Sequence, residues 1–249
     1  MDEDRKTAVG LEKDILSLLD QVASPTLGIA DFRTAMWSLG QALARRAYPM
    51  NEERPKNEQP KRIHVVSSVE DFDTVAAGVR DELSTAAEVS CSCLWTQYER
   101  ISTEPVIDVC PIYQAYHDPE PEGNYDLLFV SSNIGSIEPI SAMMMHTIVD
   151  RSFTRFDVLG IMSPVVHARA RGALVEEMGR ARFADWTEFA VDQRLGPDGT
   201  TLPGVGGNPS MRSGFDNPIQ REDFVPHWVQ TRMAARRELR RQQQNKLGM

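Results

Sequence analysis

The stretch Asp126–Val130 reads Asp-Leu-Leu-Phe-Val, and it is followed by Ser131–Ser136, which reads Ser-Ser-Asn-Ile-Gly-Ser. A short apolar run of this kind is typical of a strand that is buried on both faces of a parallel sheet. The residues that follow predict a helix over Ile137–Val149, with Pro139 in the first turn, where proline is tolerated. The stretch therefore predicts a strand, a polar loop and a helix in direct succession.

The same alternation of strands and helices extends along the chain on both sides. Apolar runs predict strands, and amphipathic runs predict helices. The expected strands are 63–66, 89–95, 106–110 and 156–162, the expected helices are 70–83 and 165–178, and a loop is expected over 113–124. This order predicts a Rossmann-like α/β domain with a parallel sheet and helices on its faces.

Helices are also expected at both ends of the chain. Residues 11–22 and 31–47 carry apolar residues at helical spacing and predict a helical N-terminal segment within residues 1–50. We assign residues 1–229 to one domain that includes this segment, and residues 230–249 to a basic C-terminal tail or helix. The basic residues of the tail are Arg232, Arg236, Arg237, Arg240, Arg241 and Lys246.

Composition and charge exclude several classes of function. Hydrophobic residues make up 41% of the chain and charged residues 25%, as in ordinary globular proteins. No apolar run approaches the roughly 18–20 residues that cross a bilayer, and the acidic start Met1–Asp4 is unlike a secretory signal. We therefore expect a cytoplasmic protein without a membrane partner.

The net charge of −9 argues against nucleic acid as a partner, because nucleic-acid binders are usually basic. The basic tail leaves two alternatives open. It forms a helix that lies against the acidic body or a neighbouring subunit, or it contacts nucleic acid or another acidic partner.

The three cysteines, Cys91, Cys93 and Cys110, do not form a paired disulfide framework, which indicates a reducing compartment. Alternation along a strand would place Cys91 and Cys93 on one face, and free cysteine usually behaves as a small buried hydrophobe. Their spacing and that of His117 fit none of the common zinc patterns. We expect a buried structural pair and assign no metal site.

The loop after Val130 is a candidate site for a phosphate or carboxylate. Ligands in open parallel sheets bind beyond the carboxyl ends of the strands, and a helix N-terminus offers unpaired amides to an anion. A glycine at 135 is able to take a positive φ. The candidate residues are Ser132, Asn133, Ile134, Gly135 and Ser136. The alternative is an ordinary loop whose Ser or Asn residues cap the helix.

A second loop, Gly199–Gly207, reads Gly-Thr-Thr-Leu-Pro-Gly-Val-Gly-Gly and follows Ala190–Leu195, Ala-Val-Asp-Gln-Arg-Leu. Proline and glycine fix a backbone path that is able to approach a planar ligand closely, with backbone groups of Thr201 and Gly206 reading its edge. The candidate residues for ring binding are Thr201, Leu202, Gly204, Gly206 and Asn208. A plain Gly/Pro turn is the alternative.

These motifs resemble those of the uracil phosphoribosyltransferases. That family reads roughly A-x-D-x-x-L and G-Y-I-x-P-G-L-G-D over residues 190–207, and D-P-M-L-A-T-G-G-S at the loop after Val130. Residues 24–44 are similar to the family's T-x-x-x-x-F-R-x-x-x-x-x-I-G-x-x-L-A, with Arg33 as its arginine. The resemblance implies a type I phosphoribosyltransferase fold, a homodimer, a phosphoribosyl donor at 132–136, a nucleobase at 201–208, and Mg²⁺ as a candidate cofactor.

The chain differs from the family at positions where the family has charged residues. Ser131 and Gly207 replace two family acids, and no arginine matches the family's I-L-R-A-G, with Arg100 as the nearest candidate. Tyr116-His117-Asp118 is interpreted as the remnant of the family's Tyr-Arg-Asp-Glu stretch, with His117 as a candidate ligand or acid–base group. The flexible hairpin that follows this stretch in the family is expected to be missing.

Each lost charged donor of this kind is worth about 2.7–4 kcal/mol of transition-state stabilisation in comparable sites. Besides a nucleic-acid-associated function that would work through the basic tail, two functions follow as hypotheses, and the catalytic residues stay unassigned. The first is a phosphoribosyltransferase-family enzyme with an altered donor, base or mechanism. The second is a catalytically inactive relative that acts as a ligand sensor or as a subunit of a complex.

Overall fold

The computed structural model describes residues 4–49, 61–101, 104, 107–119, 122–150, 153, 155–178, 184–196 and 199–246. The strands are β1 (Arg5–Thr7), β2 (Lys61–Ser68), β3 (Ala87–Thr96), β4 (Glu99–Ile101), β5 (Ile107–Val109), β6 (Ile112–His117), β7 (Tyr125–Val130), β8 (Asn133–Ile134), β9 (Phe156–His167), β10 (Ala184–Asp192), β11 (Arg194–Leu195) and β12 (Thr201–Leu202).

The helices are α1 (Lys13–Ala23), α2 (Ile29–Ala47), α3 (Val69–Phe72), α4 (Val75–Leu83), α5 (Glu138–Met144), α6 (Ala168–Met178), α7 (Pro209–Arg212), α8 (Pro218–Asp223) and α9 (His227–Lys246). A π-helical stretch, Met145–Asp150, continues α5. Within the described residues, no helix is both long and apolar enough to cross a membrane.

The central sheet has the strand order β1-β10-β9-β7-β2-β3-β6, with β8 added beside β9. The strands from β10 to β3 run parallel, whereas β1 and β6 are antiparallel at the two edges. This arrangement confirms the predicted α/β fold with a mostly parallel sheet. The chain passes from β2 outward to β3 and later returns to the other side of β2 as β7. The topological switch point therefore lies between the carboxyl ends of β2 and β7, where ligands bind in such sheets.

Successive residues of the inner strands point to opposite faces and build two separate cores. Val65 and Leu128 belong to the core beneath α1, α2 and α4. Their chain neighbours Val66 and Phe129 belong to the core beneath α5 and α6. Both faces of the sheet are thus covered, which explains why β2 and β7 read as continuous apolar runs.

Cys91 and Cys93 lie on the same face of β3 and are fully buried in the first of these cores. The expectation of a shared, buried face is therefore confirmed for this pair. Burial raises the pKa of Cys91 to about 12, so its thiol is protonated and packs as an apolar group.

The predicted helices of the N-terminal segment and the strands β2, β3 and β7 are present, with boundaries that differ by at most two residues from those expected. The predicted helix 70–83 is divided into α3 and α4. The strand expected at 156–162 extends to His167, because Val165 and Val166 pair with both β8 and β10. The helix predicted from 165 therefore begins only at Ala168.

Two expectations in the middle of the chain were wrong. The run 106–110 does not enter the central sheet, because Ile107–Val109 pairs with Glu99–Ile101 in a separate antiparallel hairpin. The expected loop 113–124 contains the edge strand β6, which pairs with β3. Its residues, Ile-Tyr-Gln-Ala-Tyr-His, are mixed in polarity, so the pairing partner rather than an apolar pattern determines that they form a strand.

The predicted C-terminal helix is α9, and its first half packs against the body of the protein. The guanidinium carbons of Arg80 and Arg232 each lie over the Trp228 ring, 4.5 Å from its centroid. Arg236 stacks on the Tyr116 ring and donates to the His117 carbonyl. The residues from Arg237 to Gln242 are exposed. Contact with the body, one of the two alternatives for the tail, is thus observed for its first half.

Helices α2 and α4 cross at two glycines. A Cβ atom at Gly40 would collide with the carbonyl oxygen of Val75, and one at Gly78 would collide with that of Trp37. Both obstacles are backbone atoms, so they move only if the helices separate. Glycine at these two positions is therefore what permits the close packing of α2 on α4.

We expect Gly40→Ala to lower the free energy of unfolding by about 3 kcal/mol or more, because overpacking here must displace backbone. Urea denaturation measures the change. Gly172 in α6 has open space around it and provides the matched control. Gly172→Ala should stabilise the protein by about 0.5–1 kcal/mol through helix propensity alone. Equal effects of the two substitutions would contradict this account of the helix crossing.

Candidate functional site

A cavity of about 500 Å³ opens at the carboxyl ends of β2, β3 and β7. Ser68, Thr96 and Ser131 line it from these three strand ends, and residues of α7 and α8 line it as well. The cavity therefore lies at the topological switch point of the sheet, where the fold places ligand sites. Its volume is within the range of about 300–1,000 Å³ that is common for small-molecule sites.

Asp71 connects the two strand ends that flank the switch point. It lies in α3, directly after β2, and is 2% exposed. Its Oδ2 atom accepts hydrogen bonds from the Ser132 amide at 2.9 Å and the Ser131 hydroxyl at 3.0 Å. The other carboxylate oxygen, Oδ1, has no hydrogen-bond partner among the described residues, although Asp71 lines the cavity. The loop after β7 is thus held by an acid that follows β2.

Burial and the neighbouring carboxylate of Glu70 raise the pKa of Asp71 to about 6. The hydrogen bonds from Ser132 and Ser131 act in the opposite direction, because they favour the ionised form. Sequence analysis did not identify Asp71. The available signal was a pair of acids, Glu70 and Asp71, that comes directly after an apolar strand.

An ion pair closes one side of the cavity. Arg221 of α8 donates to the Glu70 carboxylate at 2.8 Å and to the Thr96 hydroxyl at 3.0 Å. Arg221 is the only positively charged residue among the described residues that line the cavity. The acids that line it are Glu70, Asp71, Asp216 and Glu222. The cavity is therefore acidic, and its one cation is already paired.

The predicted anion loop lies beside this cavity, but its residues differ in their surroundings. Asn133 lines the cavity, and its Nδ2 donates to Thr201 Oγ1 at 3.3 Å, while its Oδ1 has no partner among the described residues. Ser132 and Ile134 are buried, and Ile134 pairs with Val166 as part of β8. Of the five predicted residues, Asn133 is thus the one that the structure places on the cavity wall.

Two expectations for this loop need correction. Gly135 does not have a positive φ; an added Cβ would instead lie 3.0 Å from Thr201 Oγ1. Glycine is therefore needed here because the second loop approaches closely. The helix begins at Glu138 rather than at Ile137, and the acid in its first turn opposes an anion at the helix N-terminus. The helix dipole is thus a weaker contribution than the sequence predicted.

The second predicted loop is fixed by a buried ion pair. Arg5 of β1 donates to both carboxylate oxygens of Asp192, at 2.6 and 2.7 Å, and to the Gly204 carbonyl at 2.7 Å. The Gly204 amide in turn donates to Asp192 at 2.8 Å. Gly204 has a φ of +59°, and a Cβ there would collide with the carbonyl oxygen of Thr201. Asp192, part of the motif that precedes the loop, therefore determines the path of the loop.

The Gly206 backbone is engaged within the loop and against the N-terminal segment. Its amide donates within the loop to Pro203 at 3.2 Å. Its φ is +73°, and a Cβ there would lie 3.0 Å from the backbone of Ala23 and Ser24. Arg212 reinforces this contact through the carbonyl groups of Val205, Ser24, Pro25 and Leu27. Gly206 thus packs the loop on the N-terminal segment.

The remaining residues of this loop divide between the interior and the cavity. Thr201 is 1% exposed and receives the hydrogen bond from Asn133. Asn208 lines the cavity, and its side-chain oxygen caps α7 by accepting from the Ser210 and Met211 amides. Thr201, Leu202, Gly204 and Gly206 are absent from the described cavity lining. The structure therefore brings the two loops together through Asn133 and Thr201.

His117 does not lie at the cavity, which contradicts its interpretation as part of the site. Its Nδ1 hydrogen-bonds with the Ser92 hydroxyl at 2.7 Å, and its Nε2 lies 3.2 Å from that of His146. Ser92 also contacts His64 at 2.7 Å, and burial lowers the pKa of His64 to about 3. These residues form a partly buried polar network that joins β2, β3 and β6 to the π-helical stretch Met145–Asp150.

Among the described residues, the element that follows β6 is β7, and the hairpin of β4 and β5 lies earlier in the chain, after β3. Arg100 lies in this hairpin, opposite Asp108. Among the described residues, no group of three or more His, Cys, Asp or Glu residues is arranged to hold a metal ion.

Comparisons with known proteins agree with the fold. No protein-family model matches the sequence, and no curated protein matches it. Among solved structures, the chain is similar to the AQ2163 protein from Aquifex aeolicus, with a TM-score of 0.59 and 15% identity over 84% of this chain and 98% of that chain. At this identity the likeness shows that the two proteins share a fold.

Phosphoribosyltransferases are among the other structures to which the chain is similar. The hypoxanthine-guanine enzyme from L. donovani has a TM-score of 0.40 and 12% identity over 66% of this chain and 81% of that chain. The adenine enzyme from Rhodothermus marinus has a TM-score of 0.35 and 14% identity over 60% of this chain and 77% of that chain.

We expect Arg5→Met to lower the free energy of unfolding by about 3–5 kcal/mol, because it leaves the buried Asp192 carboxylate unpaired. Guanidinium denaturation measures the loss. The exposed pair of Arg194 with Asp4, at 2.8 Å, provides the control, and Arg194→Met should cost less than about 1 kcal/mol. Similar losses for the two variants would show that burial does not govern the strength of the Arg5 pair.

Asp71 should make the stability of the protein depend on pH. Its folded pKa of about 6 is above the unfolded value of about 3.9, so the folded state binds the proton more tightly. Stability therefore falls as pH rises from about 4 to above 6. We expect Asp71→Asn to remove this fall and to be more stable than the wild type by about 1–2 kcal/mol at neutral pH. Urea melts at several pH values would contradict this if the two proteins lose stability in parallel.

Proposed function

We propose that the protein is phosphoribosyltransferase-like and binds a ribose phosphate together with a nucleobase-like planar ring at the switch-point cavity. One observation carries the proposal. Two loops that lie far apart in the sequence, 132–136 and 201–208, meet at the same edge of the sheet through the Asn133–Thr201 hydrogen bond. Both loops resemble ligand loops of the same transferase family, and their contact makes a combined site geometrically possible.

The chemistry of the cavity wall supports a ligand with a polar part and a planar apolar part. Asn133 and Ser131 lie at the end near β7 and carry the polar groups of the first loop. Met211 and Phe215, which follow the second loop in the chain, also line the cavity and offer apolar surface to a ring. Cavities that combine apolar walls with a few polar groups are the usual sites of small ligands. The homodimer, the cytoplasmic location and a role for Mg²⁺ belong to the same proposal.

The second candidate is a catalytically inactive relative that acts as a ligand sensor or as a subunit of a complex. The acidic lining of the cavity favours it. Arg221 is the only described cation of the lining, and it is paired with Glu70. A departing pyrophosphate needs positive groups that are already in place, and each such group is worth about 2.7–4 kcal/mol. The two candidates share ligand binding and differ in turnover.

We expect ribose 5-phosphate, or uridine 5′-monophosphate, to stabilise the protein by about 2.7 kcal/mol when present at 100 times its dissociation constant. Thermal unfolding and calorimetry measure this. Gly135→Val should weaken binding at least about tenfold, because the added side chain separates the two loops. Gly172→Ala, far from the cavity in α6, is the control and should bind normally. Absence of binding by the wild type would refute the proposal.

A turnover assay separates the two candidates. The protein is incubated with uracil, phosphoribosyl pyrophosphate and Mg²⁺, and the formation of the nucleotide is followed by chromatography. Nucleotide formation would establish a transferase. Binding of the monophosphate without turnover would establish the sensor or subunit.

A further inference from the structure

Two histidines outside the cavity face each other across separate elements of the fold. His117 ends β6, His146 lies in the π-helical stretch Met145–Asp150, and their Nε2 atoms are 3.2 Å apart. The ring planes are inclined by only 23° and the ring centroids are 5.3 Å apart, so the Nε2 edges rather than the ring faces approach each other. Both residues are half-buried, and neither is among the described residues that line the cavity.

The separation of the two nitrogens suits a single bound metal ion. Imidazole nitrogens bind zinc at about 2.0–2.1 Å, and a tetrahedral angle between two such bonds places the nitrogens about 3.3–3.4 Å apart. The observed 3.2 Å is only slightly smaller, so an ion is accommodated with a small movement of the rings. A hydrogen bond from one Nε2 to the other is the alternative, and the experiment below distinguishes the two.

The hydrogen bonds behind His117 are of the kind that a metal ligand requires. Its Nδ1 bonds with the Ser92 hydroxyl at 2.7 Å, and the same hydroxyl bonds with His64 Nε2 at 2.7 Å. Burial lowers the pKa of His64 to about 3, so its ring is neutral and carries one proton. With that proton on Nδ1, His64 donates to Ser90 and accepts from Ser92. Ser92 then accepts from His117 Nδ1, which leaves His117 Nε2 unprotonated, as metal binding requires.

The position of His146 is a second sign of a functional site. A π-helical turn is a rare conformation that occurs frequently at functional sites, and His146 lies within one. The pair also joins two distant elements, because β6 is an edge strand of the central sheet and the π-helical stretch continues α5. Arg236, which donates to the His117 carbonyl, pairs with Asp118 at 3.4 Å, so these two neighbours add no net charge beside the pair.

We propose that His117 and His146 form a two-histidine site for a divalent transition-metal ion, which links the edge strand β6 to the π-helical stretch. The two Nε2 atoms are the protein ligands, and water fills the remaining positions. Imidazole suits ions such as Zn²⁺, Ni²⁺ and Cu²⁺, with Cu²⁺ bound most tightly, whereas Mg²⁺ prefers oxygen ligands. This site is separate from the cavity, and it does not depend on the proposed function.

Calorimetry and thermal unfolding test the site, with Cu²⁺ and Zn²⁺ as probes and Mg²⁺ as the control ion. The proteins are the wild type, His117→Gln, His146→Gln and His227→Gln. His227 is an exposed histidine at the start of α9, so its substitution removes an imidazole from the surface and leaves the pair in place. It is therefore the matched control for the two substitutions in the pair.

We expect one tightly bound ion per chain, with a melting temperature raised by about 5 °C or more at about 100 times the dissociation constant. Each substitution in the pair should weaken Cu²⁺ and Zn²⁺ binding at least about tenfold, since even an outer-shell partner of a metal is worth about 10–100-fold. His227→Gln should change the affinity less than about twofold, and Mg²⁺ at the same concentration should not raise the melting temperature. Equal affinities of the wild type and both pair variants would overturn the inference.

Electron paramagnetic resonance of the Cu²⁺ form identifies the ligands independently of affinity. The wild type with one equivalent of Cu²⁺ should show coupling to two imidazole nitrogens, and each pair variant should show coupling to no more than one. Absence of tight binding, or coupling to a single imidazole in the wild type, would establish that the pair is only a hydrogen bond. Circular dichroism checks folding, and if one pair variant does not fold, the other variant and the wild-type spectrum decide the outcome.

Discussion

The buried contact of Arg5 with Asp192 is the interaction on which the arrangement of the site depends. It joins the first strand of the chain to the end of β10 and, through Gly204, to the loop that follows. Since Asp192 is fully buried, removing its partner would leave a charge without compensation in the interior. The pair therefore gives the loop one permitted position, in which Thr201 reaches Asn133. Segments that are 187 residues apart thereby fix the loop that lies beside the cavity.

Asp71 likewise fixes a loop beside the cavity, but unlike Asp192 it has no basic partner among the described residues. Its carboxylate holds the loop after β7 through Ser131 and Ser132, yet no described basic residue neutralises it. Burial and Glu70 therefore raise its pKa to about 6, and the ionised form destabilises the empty protein. A strained charge of this kind is common at functional sites, where a ligand compensates for it. The cavity wall thus contains a buried carboxylate whose negative charge a bound ligand is able to stabilise.

The sequence predicted most of the regular architecture because those elements carry strong periodic patterns. The runs around Val65 and Leu128 are apolar on both faces, as buried parallel strands require, and α1 and α2 show clear amphipathic spacing. Prediction failed at β6 and at the β4–β5 hairpin, whose residues are mixed in polarity and depend on a pairing partner. It also failed for His117. The residue was assigned to the site because its sequence neighbours resemble a family motif, whereas in the structure it lies away from the cavity. The positive φ allowed for Gly135 was wrong for the same reason, since glycine is required there by the approach of the distant Thr201 side chain.

The sequence by itself determined the α/β class, the mostly parallel sheet, the terminal helices and the two loops that follow the strands. Those properties depend on local periodicity and on turn residues, which a linear chain displays directly. Only the tertiary structure decided three contacts. The Asp71 carboxylate binds the loop after β7, Arg5 pairs with Asp192, and Arg221 pairs with Glu70. Each of these contacts joins residues that are distant in the chain. The net charge of the cavity depends on which charged groups these contacts bring together. It is therefore determined only in the folded protein, where the strands lie side by side.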